Sequence, residues 1–151
     1  MRDELRYRDD DGFSLIELMV VVLIVGILIA IALPTFLGAR ERAADRAVQT
    51  NMRTGLAAGL AYYSETGTWD SFDDAQGELE EPSLTWVNGG DPALGQISIH
   101  VHTGQELLLV GVSSTGNYYC LAQLATSPAT DRGRGTAFGD VDTVAECVNG
   151  W

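Results

Sequence analysis

The sequence predicts an α+β chain in which a long N-terminal helix, apolar in its first half, packs through its second half on a small antiparallel sheet. Three observations predict it. Residues 18–39 run 22 positions without a charge. Apolar residues then recur at helical steps as far as Tyr63, and the second half of the chain holds three β-rich runs joined by short glycine-containing links.

Residues 1–12 are polar and end in glycine, whereas residues 13–37 are almost wholly apolar. The junction of Gly12 and Phe13 is the sharpest composition boundary in the chain and reads as a processing or targeting boundary. As a helix, the uncharged stretch would extend about 33 Å, close to the hydrocarbon thickness of a bilayer. A secretory signal peptide fits poorly, because its apolar core is usually about 7 to 15 residues behind a basic start. Here Arg2, Arg6 and Arg8 are outnumbered by Asp3, Glu4, Asp9, Asp10 and Asp11. Arg40, Arg42 and Arg46 lie beyond the span, so arginine counting leaves orientation open. Pro34 removes a backbone donor and crowds the preceding turn, which predicts a kink there, with Gly26 loosening the helix further.

From residue 38 to about Thr66 the helix turns amphipathic. Ala44, Val48, Met52, Leu56, Leu60 and Tyr63 form one apolar stripe, with Arg42, Arg46, Gln49 and Arg53 on other faces. The glycine of "ETGTW" (65–69) marks its stop. Gly55 and Gly59 are read two ways, as points of close backbone approach or as glycines tolerated in a well-packed helix. Residues 69–92 are acidic and rich in turn formers, and read as an exposed loop. Then "QISIHVH" (96–102), "ELLLVGVSS" (106–114) and "NYYCLAQL" (117–124) predict a three-stranded antiparallel meander within a globular region from residue 67 to 151. Such a sheet needs a cover, and the stripe on residues 44–63 is the long amphipathic surface available. The remaining tail reads as loop.

A net charge of −12 with no basic stripe after the first third of the chain argues against nucleic-acid binding. Glu17 is the most informative residue. A carboxylate at the centre of a transmembrane segment costs on the order of 2.5 to 3.5 kcal/mol, and less near an end, so an acid there calls for a partner or an interfacial position. No basic residue lies inside the apolar segment. A cut after Gly12 would create one, because Phe13 would then carry a free ammonium. Cys120 and Cys147, an even pair in an exported domain, predict a disulfide closing the C-terminal region. His100 and His102 alternate on a strand and would share one face, but two ligands make no metal centre, and a solvated sheet face is the simpler reading. The acidic segments lack the spacing of a calcium-binding hand. With no phosphate loop, dinucleotide fingerprint or nucleophile elbow, the chain is expected to be no enzyme and to carry neither metal nor cofactor.

The stretch "GFSLIELMVVVLIVGILIAIALP", Gly12 to Pro34, resembles the N-terminal signature of type IV pilins and of the pseudopilins of type II secretion. It joins a glycine before the cut, an aromatic first mature residue, a carboxylate four residues on and a proline near the end of the span. The resemblance implies a leader, residues 1–12, cut by a prepilin peptidase between Gly12 and Phe13, with N-methylation of Phe13. It also implies a wait in the cytoplasmic membrane and extraction by an assembly platform and ATPase into an extracellular helical filament of like subunits. Glu17 would pair with the Phe13 amine of an adjacent subunit, and the span around Gly26 and Pro34 would kink or partly unwind on packing. Residues 120–147 resemble the disulfide-bounded variable region of many pilins, and "AYYSETGTW" (61–69) the end of their long helix. Asp9 to Asp11 depart from the basic residues usual near the cut. A structural pilus subunit, serving adhesion, motility or DNA uptake, is the first expectation. The alternatives are a pseudopilin of a secretion or competence system and a single-pass membrane binding module that is never cut.

Overall fold

The computed structural model of the chain describes residues 12–127 and 129–151. The predicted leader, Gly12 apart, lies outside the described residues. Contacts divide the chain into two units that meet between Ala39 and Arg40.

The first unit is the opening of helix α1 (Leu15–Thr66). All described residues from Gly12 to Leu37 are exposed, including eighteen large hydrophobic side chains from Phe13 to Leu37. By length and composition the segment can cross a membrane. The helix assignment runs through Gly26 and Pro34 without a break.

The second unit begins with the rest of α1, which stops where the sequence places the stop: Gly67 has φ 74° and donates its N–H to Tyr63 O at 2.8 Å. A seven-residue helix, α2 (Asp74–Glu80), follows, and then five strands: β1 (Thr85–Asn88), β2 (Gln96–His102), β3 (Glu106–Val112), β4 (Tyr118–Leu124) and β5 (Thr130–Gly135). They form one sheet in the order β1-β2-β3-β4-β5, with β1 parallel to β2 and every other pair antiparallel. The three predicted strands are β2, β3 and β4; β1 and β5 form where the sequence predicts loop. Both escape the pattern for physical reasons. β1 is only four residues long, and β5, "TDRGRG", has the composition of a turn. Shortness also explains how β1 runs parallel without a crossover helix, since residues 89–95 need to retrace only about 14 Å. That return uses Gly89, Gly90 and Gly95, all at positive φ.

Residues 69–92 are likewise no simple exposed loop. Trp69 and Phe72 are fully buried, Trp69 donates its indole N–H to Gly59 O at 2.8 Å, and Asp73 caps α2 by accepting from Gln76 N at 3.0 Å. The acid-rich composition hides two aromatic anchors. With Met52 and Leu56 of α1, Trp86, Ile97, Ile99, Leu107, Leu109, Tyr119 and Leu121 they make the core between helix and sheet.

The α1 stripe is real but rotates. Leu60 is 42% exposed, while Gly55, Ala58 and Gly59 are buried. Steps of four advance the angle by about 40° each on a helix of 3.6 residues per turn, so a strict four-residue spacing walks off the contact face. The glycines take over there. A Cβ on Gly59 would stand 2.5 Å from Leu107 Cδ2, and one on Gly55 3.1 Å from the Trp86 ring, which decides for close approach.

The opposite face of the sheet is also buried. Leu108, Val110, Cys120 and Ala122 pack with Val141 and Cys147 of the C-terminal segment, which contains a 3-10 turn at Phe138–Asp140. Cys120 and Cys147 are joined in a disulfide. The tail is thus a second covering layer.

Candidate processing and assembly site

Phe13 is 82% exposed, and Ser14 immediately precedes the first residue of α1, Leu15. The Ser14 hydroxyl accepts from Ile16 N at 3.3 Å, while the Glu17 carboxylate reaches back to accept the Ser14 N–H at 3.0 Å. This is one arm of a capping box: the acid three residues on satisfies the Ser14 N–H, while the serine hydroxyl takes the orphan donor of Ile16. The helix dipole also favours a carboxylate in the first turn. The signal, Ser-x-x-Glu ahead of an apolar run, is present in the sequence at residues 14–17, where Glu17 otherwise reads as an acid that calls for a partner or an interfacial position. Its local task is to start the helix.

Residues 7–33 match the prokaryotic N-terminal methylation motif. The match supports a prepilin of the type IV pilin or pseudopilin type. No curated protein and no solved structure matches the chain. The motif ends within the apolar helix, and an N-terminal span of that kind fits a single-pass membrane anchor in a prepilin. A prepilin motif points to a structural rather than a catalytic protein.

The other residues singled out in the sequence fall elsewhere. Gly26 and Pro34 lie inside α1, Gly26 with nothing within 4 Å of an added Cβ. Cys120 and Cys147 sit on the far side of the sheet from α1, where Gly133 leaves room for the bridge: a Cβ there would be 2.7 Å from Cys120 Sγ. His100 and His102 do not share a face. A bulge between Ile99 and Val101 shifts the register, so His100 stacks edge-on against Phe138 in the C-terminal layer while His102 Nδ1 lies 3.3 Å from Asp70 O on the helix side. Among the described residues no group of three or more metal-ligating side chains converges.

Sequence reasoning missed Asp45. On α1 it accepts from Thr115 Oγ1 at 2.7 Å and from Asn117 Nδ2 at 3.5 Å, tying the helix to the β3–β4 turn. Partial burial pushes its carboxyl up, but hydrogen bonds from Ser113, Thr115, Tyr119 and Asn117 outweigh this and hold it below the ordinary carboxylate value. Beside it, burial and the Asp45 charge push the Tyr119 phenol up. A carboxyl whose folded pKa is lowered stabilises the fold above its unfolded pKa, about 3.9, and loses that contribution as pH falls through the folded value. Asp45→Asn should therefore lower the urea midpoint of the detergent-solubilised chain at pH 7. The gap from wild type should close as pH drops below about 4. A gap independent of pH would mean that the carboxylate charge plays no part.

Proposed function

We propose that the chain is a structural subunit of a type IV pilus, cut by a prepilin peptidase between Gly12 and Phe13 and methylated on the new Phe13 amine. The mature subunit waits in the cytoplasmic membrane as a single-pass protein, and a platform and ATPase draw it into an extracellular filament of its own copies. The observation that carries this reading is the exposed apolar opening of α1, from Leu15 to Leu37, with Glu17 in its first turn and inside the methylation motif. An apolar surface on every side of a helix is stable in lipid or among like helices, so one sequence suits both the waiting and the assembled state.

The cut supplies the charge that Glu17 lacks. In its own chain the Phe13 ammonium meets the unfavourable positive end of α1, so the carboxylate of an adjacent subunit is the better counter-charge. Subunits added by one repeated contact form an open helical polymer. Gly26 and Pro34 supply the give that packing requires of the span. Mass spectrometry of the protein from membranes and sheared surface fractions tests the scheme. A chain beginning at methylated Phe13, present in filaments, is the expected result; an intact N-terminus from Met1 in every fraction would overturn it.

A further inference from the structure

The sheet has two edges of opposite charge. On β5, Arg132 and Arg134 pair with Leu121 and Tyr119, whose side chains face α1. On α1, Arg42, Arg46 and Arg53 border the same region. The Arg53 guanidinium lies 4.9 Å from the centre of the Trp151 ring and that of Arg132 5.6 Å, while Arg42, Arg46 and Arg134 line, with Tyr119 and Trp151, a groove of about 210 Å³. Five of the nine arginines in a chain of net charge −12 thus gather at one edge. Asp45 shares the groove but is engaged by Thr115 and Asn117, and Asp131 lies on the alternate face of β5.

At the other edge α2 packs beside β1, and Asp74 and Glu78 border a groove of about 330 Å³ floored by Leu84 and Trp86. Asp70, Asp73, Glu80 and Glu81 lie in the same segment, and no arginine or lysine occurs between Arg53 and Arg132. The strand order puts three strands between β1 and β5, so the two patches belong to opposite edges of one sheet.

We infer that the arginine groove at the β5 edge docks the acidic α2–β1 edge of a second copy of this chain, making the globular contact between neighbouring subunits. The inference rests on the filament reading above. The excess of acidic over basic residues makes subunits repel as wholes, and contact becomes favourable where opposite patches meet. Because the two patches differ, the contact is heterologous and propagates, as an open polymer needs. Arginines stacked on an indole are prearranged, so fewer rotamers freeze on docking.

The test is charge reversal in cells producing the full chain, scored as sheared filament yield, with mature Phe13 and the disulfide monitored in each variant. R132E/R134E and D74R/E78R should each lower yield roughly tenfold, and the two pairs combined in one chain should restore it to within about threefold of wild type. R134Q and E78Q, which only remove charge, should lower it about threefold and keep the test open if a reversal hinders folding. Wild-type yield in both reversals, or losses that the combination fails to repair, would overturn the inference while leaving the filament reading intact. Unchanged filaments that lose heparin binding in R132E/R134E would overturn it in favour of a polyanionic ligand. Absence of filaments from correctly processed wild-type protein would instead sink the polymer reading.

Discussion

Replacing Glu17 with glutamine is expected to abolish surface filaments, to below about a tenth of wild-type yield, while leaving the cut between Gly12 and Phe13 intact. Glutamine is the informative choice because the carboxylate serves the capping box as well as the proposed pairing, accepting Ser14 N–H at 3.0 Å. A glutamine oxygen takes the same hydrogen bond, so the helix start survives and only the charge is lost. Glu17→Leu removes both, so the Ser14 N–H loses its acceptor as well. If charge pairing with the Phe13 amine drives assembly, both variants fail alike. Normal filaments from E17Q with loss only in E17L would mean that helix capping, not charge, is what assembly needs. Immunoblots for processed subunit beside counts of sheared filaments separate these outcomes.

Cys120→Ser with Cys147→Ser is expected to produce the largest loss of stability in the globular unit. A bridge between residues 27 apart removes chain entropy from the unfolded state worth roughly 3.5 kcal/mol. For a unit of this size that corresponds to a fall in Tm of roughly 10 to 20 °C. The loss should be local at first. The bridge holds the C-terminal layer against Leu108, Val110 and Ala122, and Gly133 of β5 rests directly on it. Hydrogen exchange should therefore rise in β5 and in residues 138–148 before it rises in β3. Thermal unfolding followed by circular dichroism checks the magnitude, and a fall of less than about 3 °C would mean that packing alone holds the layer.

Elements that announce themselves by pattern were legible in the sequence. The long helix shows through its charge-free run and its stripe, and β2, β3 and β4 through dense β-branched and aliphatic residues between glycine links. What stayed hidden depends on partners far along the chain. β5 exists because Tyr118 to Gln123 offer it a ladder, and nothing in "TDRGRG" asks to be a strand. α2 is held by Asp73 and by Gly77, where an added Cβ would meet the Trp86 ring at 2.6 Å, and no local periodicity records that contact. The bulge that sends His100 and His102 to opposite faces is a one-residue register shift, invisible to an alternation rule. At the N-terminal site the residues were plain, and the capping box was readable from Ser14 and Glu17. The arginine edge was not, because it joins α1 to β5 and to Trp151 across most of the sequence.

The outer side of β5 bears on what a polymerising subunit must avoid. Gly133 forms an isolated bridge with Asn149, and Gly150 N donates to Arg132 O at 2.8 Å, so the chain's own residues 149–150 occupy backbone groups that an edge strand would otherwise present. A bare edge templates strand addition, which is the route to amyloid-like aggregates. Blocking that edge leaves the side chains of β5 exposed and its backbone spoken for, which steers growth toward packing of folded units and away from sheet extension.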